Sequence, residues 1–326
     1  MTMFKTLSAC LMFGALALSG QTADAQTPAG KTVRIIVPYP AGGAGDVVTR
    51  LLGQEIAEKT GQTIIVENRP GAASMVGSEI AARATPDGTT LLLVENPFVL
   101  NPVLYPTHYH PVTSFEPVCF VADTPAVFAV SGTSDIHSFD DFLKAARAQS
   151  GKLSYGSTGP ASIAHIAGEL IKREAKIDMV YVPFPGSPPA VNAVLGGHVT
   201  ALIANYSDLK AQIESGGLRA LAVPAAKRVE PLPNVPTLAE LGLKDIEAAV
   251  WFGFVAPAQT PKNIVDQFIK DFSAAIQVPE VKRKVIEAGL FPATNCGAPF
   301  GKFLQTQFDK YTQFAHEFDI KPADKK

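Results

Sequence analysis

The stretch 33–59, VRIIVPYPAGGAGDVVTRLLGQEIAEK, decides the fold that the sequence predicts. Residues that favour β-structure lead into a loop of small residues, and apolar residues then recur at the spacing of an amphipathic helix. A strand that turns through glycines into a helix presents unpaired N–H groups and the positive end of the helix dipole. Because Gly42, Gly43 and Gly45 lack a Cβ, a ligand can approach this backbone closely. The stretch indicates an anion site, with a plain strand-to-helix connection as the alternative.

Two nucleotide-binding motifs are excluded at this loop. A P-loop ends in Gly-Lys-Ser/Thr, whereas Gly45 is followed by Asp46. A dinucleotide-binding fingerprint needs a third glycine at the position that Val48 occupies. Asp46 itself is a candidate either for the N-cap of the helix or for a ligand contact, and the sequence leaves both open.

The N-terminus has the features of a secretory signal peptide. Lys5 precedes an apolar run at 7–18, and Ala23-Asp24-Ala25 is a small-x-small cleavage site. We therefore predict a signal peptide over 1–25 and a periplasmic mature protein. No later segment has the apolar length that a membrane-spanning helix needs.

Composition limits the class of protein further. The 326 residues carry a formal net charge of −2 and no basic stripe, which argues against nucleic-acid binding. The mature chain is long enough for two domains. After cleavage Cys119 and Cys296 remain, and the sequence leaves open whether they form a disulfide or are two separate thiols. His108 and His110 lack partners at ligand spacing, so we expect no metal and no cofactor.

Strand and helix patterns alternate along the chain. We predict strands at 64–67, 91–94, 180–183, 200–204 and 218–223, and helices at 76–83, 139–149, 162–174 and 190–195. The passages 115–131 and 250–255 are predicted to cross between two lobes, and the part from Pro261 is predicted to be largely helical. This order predicts an α/β fold with mixed, mostly parallel sheets, whose ligands bind beyond the carboxyl ends of the strands.

One short pattern occurs twice. Val37-Pro38-Tyr39-Pro40 and Val182-Pro183-Phe184-Pro185 each follow a predicted strand and precede small residues and a helix. Two lobes that present such loops to one cleft would hold a small anion from both sides. A chance match is the alternative, because the chain contains 26 Pro and 26 Gly.

A secreted serine hydrolase is the rival interpretation. Ser157 is the best candidate nucleophile, with His165 as its base, but Tyr155 stands where the nucleophile-elbow motif needs glycine. The small residues of 156–162 suit hydroxyl and N–H donors for a carboxylate better. We predict that His165 packs against the sheet and that Trp251 packs at the crossing between the lobes.

Six segments, taken in order, resemble one known family. They are IIVPYPAGGAGD, ENRPGAASMVGSEIAARATPDGTTLL, LSYGSTGPASIAHIAGEL, VPFPGSPPAVNAVLGGHV, LRALAVPAAKRVEPLPNVPTLAELG and WFGFVAPAQTPKNIV. They are similar to the Bug, or TctC-like, extracytoplasmic solute receptors of tripartite tricarboxylate transporters, over nearly the whole mature chain. The resemblance implies a binding protein and not an enzyme. Its expected fold is a two-lobe Venus flytrap of the periplasmic-binding-protein type, with lobe 1 at 26–122 and 250–326 and lobe 2 at 123–249.

The resemblance also implies a ligand, partners and contact residues. The receptor is expected to be a monomer that closes on a small carboxylate and delivers it to the membrane permease subunits of such a transporter. The expected first-lobe contacts are Tyr39, Ala41, Gly42, Gly43, Asp46, Ala73, Ser74, Met75 and Asn96. The expected second-lobe contacts are Ser157, Thr158, Ser162, Gly186, Ser187 and Asn205.

Three departures from the family pattern bear on the ligand. Met75 replaces a polar residue, Glu95-Asn96-Pro97-Phe98 replaces a strand end rich in small residues, and Asn205 stands where an Asp is common. We therefore predict a more apolar pocket and a carboxylate ligand without a free amine, either aromatic or a dicarboxylate. Glu95 is the opposing feature, since it could bind a cation if it faces the cleft. A sensor that docks to a membrane signalling partner is a further alternative.

Overall fold

The opening stretch forms β1 (Val33–Val37) and α1 (Ala44–Thr60), as predicted, and α1 ends at Gly61 in the left-handed conformation. This computed structural model describes residues 32–157, 159, 162–225, 227–244 and 246–317. The predicted signal peptide over 1–25 and the candidate contact Thr158 lie outside the described residues.

The first part of the chain alternates strand and helix. After α1 come β2 (Ile64–Asn68), a 3-10 turn (Ala72–Ser74), α2 (Met75–Ala82), β3 (Thr90–Val94) and α3 (Asn96–Leu104). β1 lies between β2 and β3 and is parallel to both. The carboxyl ends of these three strands therefore share one edge of the sheet, and the loops that follow them are neighbours. α3 begins at Asn96, directly after the end of β3, with Pro97 in its first turn, where proline is tolerated.

Two long strands join the halves of the molecule. They are β4 (Phe115–Ser131) and β9 (Ala249–Pro257), at the passages predicted to cross between lobes. Their antiparallel pairing ends at Pro125 opposite Ala249. From Ala126 onward β4 pairs with a strand of the second half, beginning opposite Asn205. One continuous strand thus belongs to the sheets of both halves, while the predicted boundaries at residues 123 and 249 remain a prediction.

The second half repeats the strand and helix alternation. Its elements are α4 (Phe139–Ala148), β5 (Ser154–Ser157), α5 (Ile163–Ala175), β6 (Val180–Pro183), α6 (Ser187–Leu195), β7 (Ala201–Asn205), α7 (Tyr206–Glu214) and β8 (Leu218–Ala222). β5 lies between β6 and β7 and is parallel to both, whereas β7 and β8 run antiparallel to β4. α6 begins three residues before the predicted start at Ala190, since Pro188 and Pro189 fit the first turn of a helix.

The C-terminal part returns to the first half. It contains α8 (Lys262–Ala275), α9 (Pro279–Glu287), β10 (Phe291–Cys296) and α10 (Ala298–Glu317). β10 was not predicted; it pairs antiparallel with β4, and Cys296 lies opposite Cys119. These two cysteines form a disulfide, which decides the question that the sequence left open.

Helices cover both faces of the first sheet. On one face α1, α8 and α9 bury a cluster that includes Leu52, Phe254 and Phe272. On the other face α2, α3 and α10 bury a second cluster that includes Phe98 and Phe300. The strands are apolar on both sides for this reason, as expected of a parallel sheet between helix layers. At the sheet edge that carries the strand-end loops, residues 40–43 are exposed.

Candidate functional site

The loop from β1 to α1 presents the N-terminus of a helix without a side-chain cap. α1 has Gly43 as its N-cap residue, and within the described part of the chain this end has no side-chain capping hydrogen bond. Gly42 has φ of +85°, a conformation that suits glycine. Ala41, Gly42 and Gly43 are exposed at the sheet edge. Unpaired N–H groups and the helix dipole favour an anion at this position.

Asp46 fixes the shape of this loop. Its buried carboxylate accepts hydrogen bonds of 2.9 Å from the Gly42 N–H, from Nδ2 of Asn68 and from Nε of Arg50. Burial raises the pKa of Asp46, but these hydrogen bonds outweigh it and hold the pKa below its usual value. Asp46 lies in the first turn of α1 and is not the N-cap residue. Its bond to the Gly42 N–H holds the glycine loop in place.

The loop before α2 has an unusual backbone. Ala72, Ala73 and Ser74 have positive φ values of 46°, 50° and 79° in succession. Left-handed conformations are unfavourable for residues with a Cβ, and such strain is concentrated at ligand-binding sites. Nδ2 of Asn101 donates a hydrogen bond of 2.6 Å to the Ala73 carbonyl and so anchors the loop.

Close packing brings these two first-lobe loops together. A Cβ added to Gly77 of α2 would lie 2.7 Å from the Cβ of Pro38, which starts the β1–α1 loop. Tyr39 follows Pro38, and Ser74 and Met75 lie shortly before Gly77 in the chain. The β1–α1 loop and the loop before α2 are therefore neighbours at the ends of β1 and β2, where Asp46 and Ser74 are buried.

Glu95 and Tyr39 bring two ionisable side chains into the packing around the start of α1. Oε1 of Glu95 is 2.6 Å from the position that a Cβ would take on Gly45. Burial raises the pKa of Glu95 to about 8, so the carboxyl group is largely neutral at neutral pH. The Tyr39 hydroxyl is buried near Glu95 and Ser74 but completes no hydrogen bond of ordinary geometry with any described residue.

Asn96 makes hydrogen bonds at the crossing between the halves. Its Nδ2 donates to the Ala249 carbonyl and to the Tyr311 hydroxyl, each at 3.1 Å, and its Oδ1 accepts from the backbone N–H of Trp251 at 3.3 Å. These bonds occupy both amide hydrogens. Asn96 therefore ties the end of β3 to β9 at the crossing, and a ligand contact from it stays a prediction.

The second-lobe loop after β5 is built around Ser157. Its buried hydroxyl lies 3.1 Å from the Tyr181 hydroxyl and 3.3 Å from Oγ of Ser162, and it donates to the Gly159 carbonyl at 3.3 Å. Ser162 is the N-cap of α5 and accepts from the His165 backbone N–H. Tyr181 was missed by sequence reasoning, because nothing in a four-residue strand marks which hydroxyl will meet Ser157.

His165 packs against the sheet, as predicted. Its ring stacks on Tyr181 of β6 with centroids 3.9 Å apart. Burial lowers the pKa of His165. The hydrogen bonds found for the Ser157 hydroxyl among the described residues do not include His165. A nucleophile and base pair is therefore not assembled by these two side chains here.

Two more strand ends complete the second-lobe edge. Gly186, with φ of +115°, is the N-cap of α6, and Asn205 is the N-cap of α7; neither provides a side-chain cap. The Ser187 hydroxyl donates to Oδ2 of Asp208 at 2.5 Å. Pro188 has no N–H, so α6 offers an anion fewer donors than α1 does.

The topology places both loop sets beside one point of the molecule. Val94 at the end of β3 lies opposite Gly253 of β9, and Asn205 at the end of β7 lies opposite Ala126 of β4. Between these two positions β4 changes its partner, because its pairing with β9 ends at Pro125 opposite Ala249. The carboxyl ends of β1–β3 and of β5–β7 therefore flank the same crossing from its two sides.

A separate cavity of about 420 Å³ lies next to the crossing, between α5 and α10. Its walls include Ile166 and Leu170 from the second half and Phe303 from the first. Of the candidate contacts that the structure describes, only Asn96 lines it. This cavity is therefore a space between the two halves and not the set of strand-end loops.

Within the described ranges, no cluster of three or more His, Cys, Asp or Glu residues has the arrangement of a metal site. In the same part of the chain, each helix is too short or too polar to cross a bilayer.

Comparison with known proteins identifies the family. The model of the tripartite tricarboxylate transporter family receptor, TctC, matches residues 48–320. The chain belongs to this receptor family. BugT of Bordetella pertussis is 32% identical over 324 residues, which are 98% of this chain and 99% of BugT.

Solved structures agree with the family assignment. The periplasmic binding protein BugD is 30% identical, with a TM-score of 0.75 over 90% of this chain and 99% of BugD. A Rhodopseudomonas palustris protein solved with adipate is 29% identical, with a TM-score of 0.77 over 91% of this chain and 99% of that protein. The predicted two-lobe binding-protein fold is confirmed, and the family comprises solute-binding proteins and not enzymes.

Proposed function

We propose that this receptor works in the periplasm, captures a small dicarboxylate between its two lobes and delivers it to a tripartite transporter. The observation that carries the proposal is the uncapped N-terminus of α1 behind Gly42 and Gly43, at a sheet edge that faces a second set of strand-end loops. A helix N-terminus of this kind is suited to a carboxylate. Adipate in the similar Rhodopseudomonas palustris protein supports a dicarboxylate.

The ligand is proposed to lack a free amine. An ammonium group needs an ionised carboxylate beside it, and burial keeps Glu95 mainly neutral at neutral pH. The positive end of α1 also disfavours a cation. Asp208 already accepts a hydrogen bond from Ser187, and Asn205 adds no charge.

Capture is proposed to follow a shift between open and closed forms. The first lobe would bind one carboxylate through the N–H groups of residues 43–45, and the second lobe would then add the donors near Ser162 and Asn205. A buried carboxylate needs nearly complete hydrogen bonding, which only the closed form would supply. The ligand would therefore stabilise the closed form by its greater affinity for it.

Calorimetric titration against adipate, benzoate, glutamate and aspartate tests the ligand proposal. We expect adipate or benzoate to bind at least tenfold more tightly than either amino acid. Tighter binding of glutamate or aspartate would overturn the proposal that the ligand lacks a free amine. Failure of all four to bind would count against a small-carboxylate receptor.

A pair of charge variants tests the position of the site. Gly43 has room for a side chain and a φ of −73°, so Gly43→Asp adds a negative charge without strain. We expect it to weaken adipate binding at least tenfold. Thr63→Asp adds the same charge beyond the other end of α1 and is the matched control. Equal effects of the two variants would place the carboxylate elsewhere.

Delivery to a transporter is tested in cells. Deletion of the gene should abolish uptake of the bound acid, and the Gly43→Asp variant should not restore uptake. A sensor that docks to a signalling partner would instead leave uptake intact and abolish a transcriptional response. Light scattering of the purified protein tests the proposed monomer.

A further inference from the structure

Glu95 stands where β3 ends and α3 begins. It is the N-cap residue of α3, but its side chain makes no capping hydrogen bond with that helix. Oε1 instead lies 2.6 Å from the position of a Cβ on Gly45, the second residue of α1. The carboxyl group is therefore beside the helix turn that is proposed to receive the ligand.

The surroundings of Glu95 provide no compensating cation. β3 and β9 contribute the apolar side chains Leu93 and Phe252 to this place. On α1 the residue after Gly45 is the acid Asp46, whose carboxylate is already bound by Arg50. The loop after β1 contributes Tyr39, whose pKa is raised by burial, so that it is neutral. Among the described residues, no lysine or arginine contributes to the electrostatics of Glu95.

A ligand carboxylate at the start of α1 would thus lie next to a second carboxyl group. Two carboxyl groups in one desolvated site cannot both be ionised at low cost, and such pairs hold one proton between them. The proton would lie on Glu95 and point to the ligand, because the helix N-terminus stabilises the ionised ligand.

We propose that Glu95 is a specificity-determining residue that, in its protonated form, donates a hydrogen bond to a ligand carboxylate. The inference rests on the proposed function and names the ligand group that this side chain selects. Glu95 would thus account for a preference of the site for ligand carboxylates over ligand ammonium groups. Burial, which raises the pKa of Glu95 to about 8, provides the acid form before the ligand arrives.

Proton linkage tests the proposal. Adipate binding is measured by calorimetry between pH 6 and pH 10, in pairs of buffers with different heats of ionisation, with benzoate as a second probe. We expect no proton uptake at pH 6 and uptake of about one proton per adipate at pH 9–10, with affinity falling toward tenfold per pH unit above about 8.

Two variants distinguish the contribution of Glu95 to the pH dependence from that of other titrating groups. Glu95→Gln keeps an N–H donor and cannot ionise, so its affinity should stay close to that of the native protein at pH 6 and be independent of pH. Glu58→Gln, at an exposed position on α1, is the control and should retain the native pH profile.

The outcomes distinguish this inference from the proposed function. Adipate binding that is independent of pH in the native protein, or unchanged pH dependence in Glu95→Gln, would overturn the role of Glu95 and leave the receptor function intact. Tighter binding of glutamate that is lost in Glu95→Gln would show that Glu95 binds a cation, which also overturns it. If neither adipate nor benzoate binds, the proposed function and this inference fail together.

Discussion

Oε1 of Glu95 occupies the space beside Gly45, 2.6 Å from where a Cβ on that glycine would lie, and Cδ2 of Leu93 is equally close. α1 therefore approaches the end of β3 so closely that a side chain on Gly45 would not fit between them. This contact holds the first turn of α1 against the end of β3, which Glu95 follows.

The first prediction concerns this contact. Gly45→Ala should destabilise the fold by about 1–3 kcal/mol, because the added methyl group overpacks the space between α1 and β3. It should also weaken adipate binding. Gly43→Ala is the matched control, because its nearest new contact would be at 3.7 Å. Urea unfolding measures both variants, and equal stabilities would contradict the packing described here.

The second prediction concerns the strained loop before α2. Ala73 has a φ of 50°, so Ala73→Gly should stabilise the fold by about 0.5–1 kcal/mol through relief of strain. The same substitution at Ala82, in the last turn of α2, should cost up to about 1 kcal/mol. Thermal unfolding compares them. Destabilisation by both would mean that the left-handed conformation carries no strain.

The third prediction concerns acid sensitivity. The pKa of Asp46 is below 3.8 in the folded protein, so its stabilising effect is complete above that value and is lost as the pH falls through the folded pKa. Asp46→Asn lacks this effect, so its stability deficit should shrink between neutral pH and pH 3. Urea unfolding at both pH values measures the change.

A surface ion pair provides the control for Asp46. Asp266 pairs with the exposed Lys262, and Asp266→Asn should change stability little at either pH. A deficit for Asp46→Asn that stays constant with pH would contradict the bonding described for this carboxylate.

The fourth prediction concerns the disulfide. Cys119 and Cys296 are separated by 177 residues in the sequence and join β4 to β10. Removal of the bond by reduction, or in the Cys119→Ser/Cys296→Ser variant, should cost about 2–5 kcal/mol of stability. Thermal unfolding with and without reductant measures it, and thiol labelling of the unreduced protein should find no free cysteine in the mature chain. Two labelled thiols would contradict the bond.

The fifth prediction uses the only tryptophan of the chain. Trp251 is buried at the crossing, and its ring centroid is 5.3 Å from that of Phe303. Ile163 and Ile166 of the second half pack against the same cluster. Closure should move α5 and shift the emission of Trp251. Fluorescence titration with adipate measures the shift, which should saturate with the affinity found by calorimetry; an unchanged spectrum at saturation would place Trp251 outside the moving contacts.

Local patterns predicted those parts of the fold that local physics determines. Neighbouring residues determine the strand, glycine loop and helix around Gly42, and Gly61 ends α1 as glycine commonly does. β10 was missed because Pro292 interrupts the pattern of a strand. It becomes a strand through its pairing with β4, which is distant in the sequence.

The site was predictable in its position and less so in its detail. Parallel strands put the loops at one edge, so Tyr39 and Ser74 could be expected near each other. Nothing in an alanine indicates a left-handed conformation at Ala73, because tertiary contacts such as that from Asn101 impose it. The role of Asp46 likewise depends on Asn68, whose position is fixed only when β2 pairs with β1.

The most direct test of the central claim is small-angle X-ray scattering of the protein with and without saturating adipate. The account predicts that adipate reduces the radius of gyration of the native protein, as the lobes close, and that the Gly43→Asp variant keeps the larger value at the same adipate concentration. Adipate binding with an unchanged radius of gyration would contradict capture between two closing lobes.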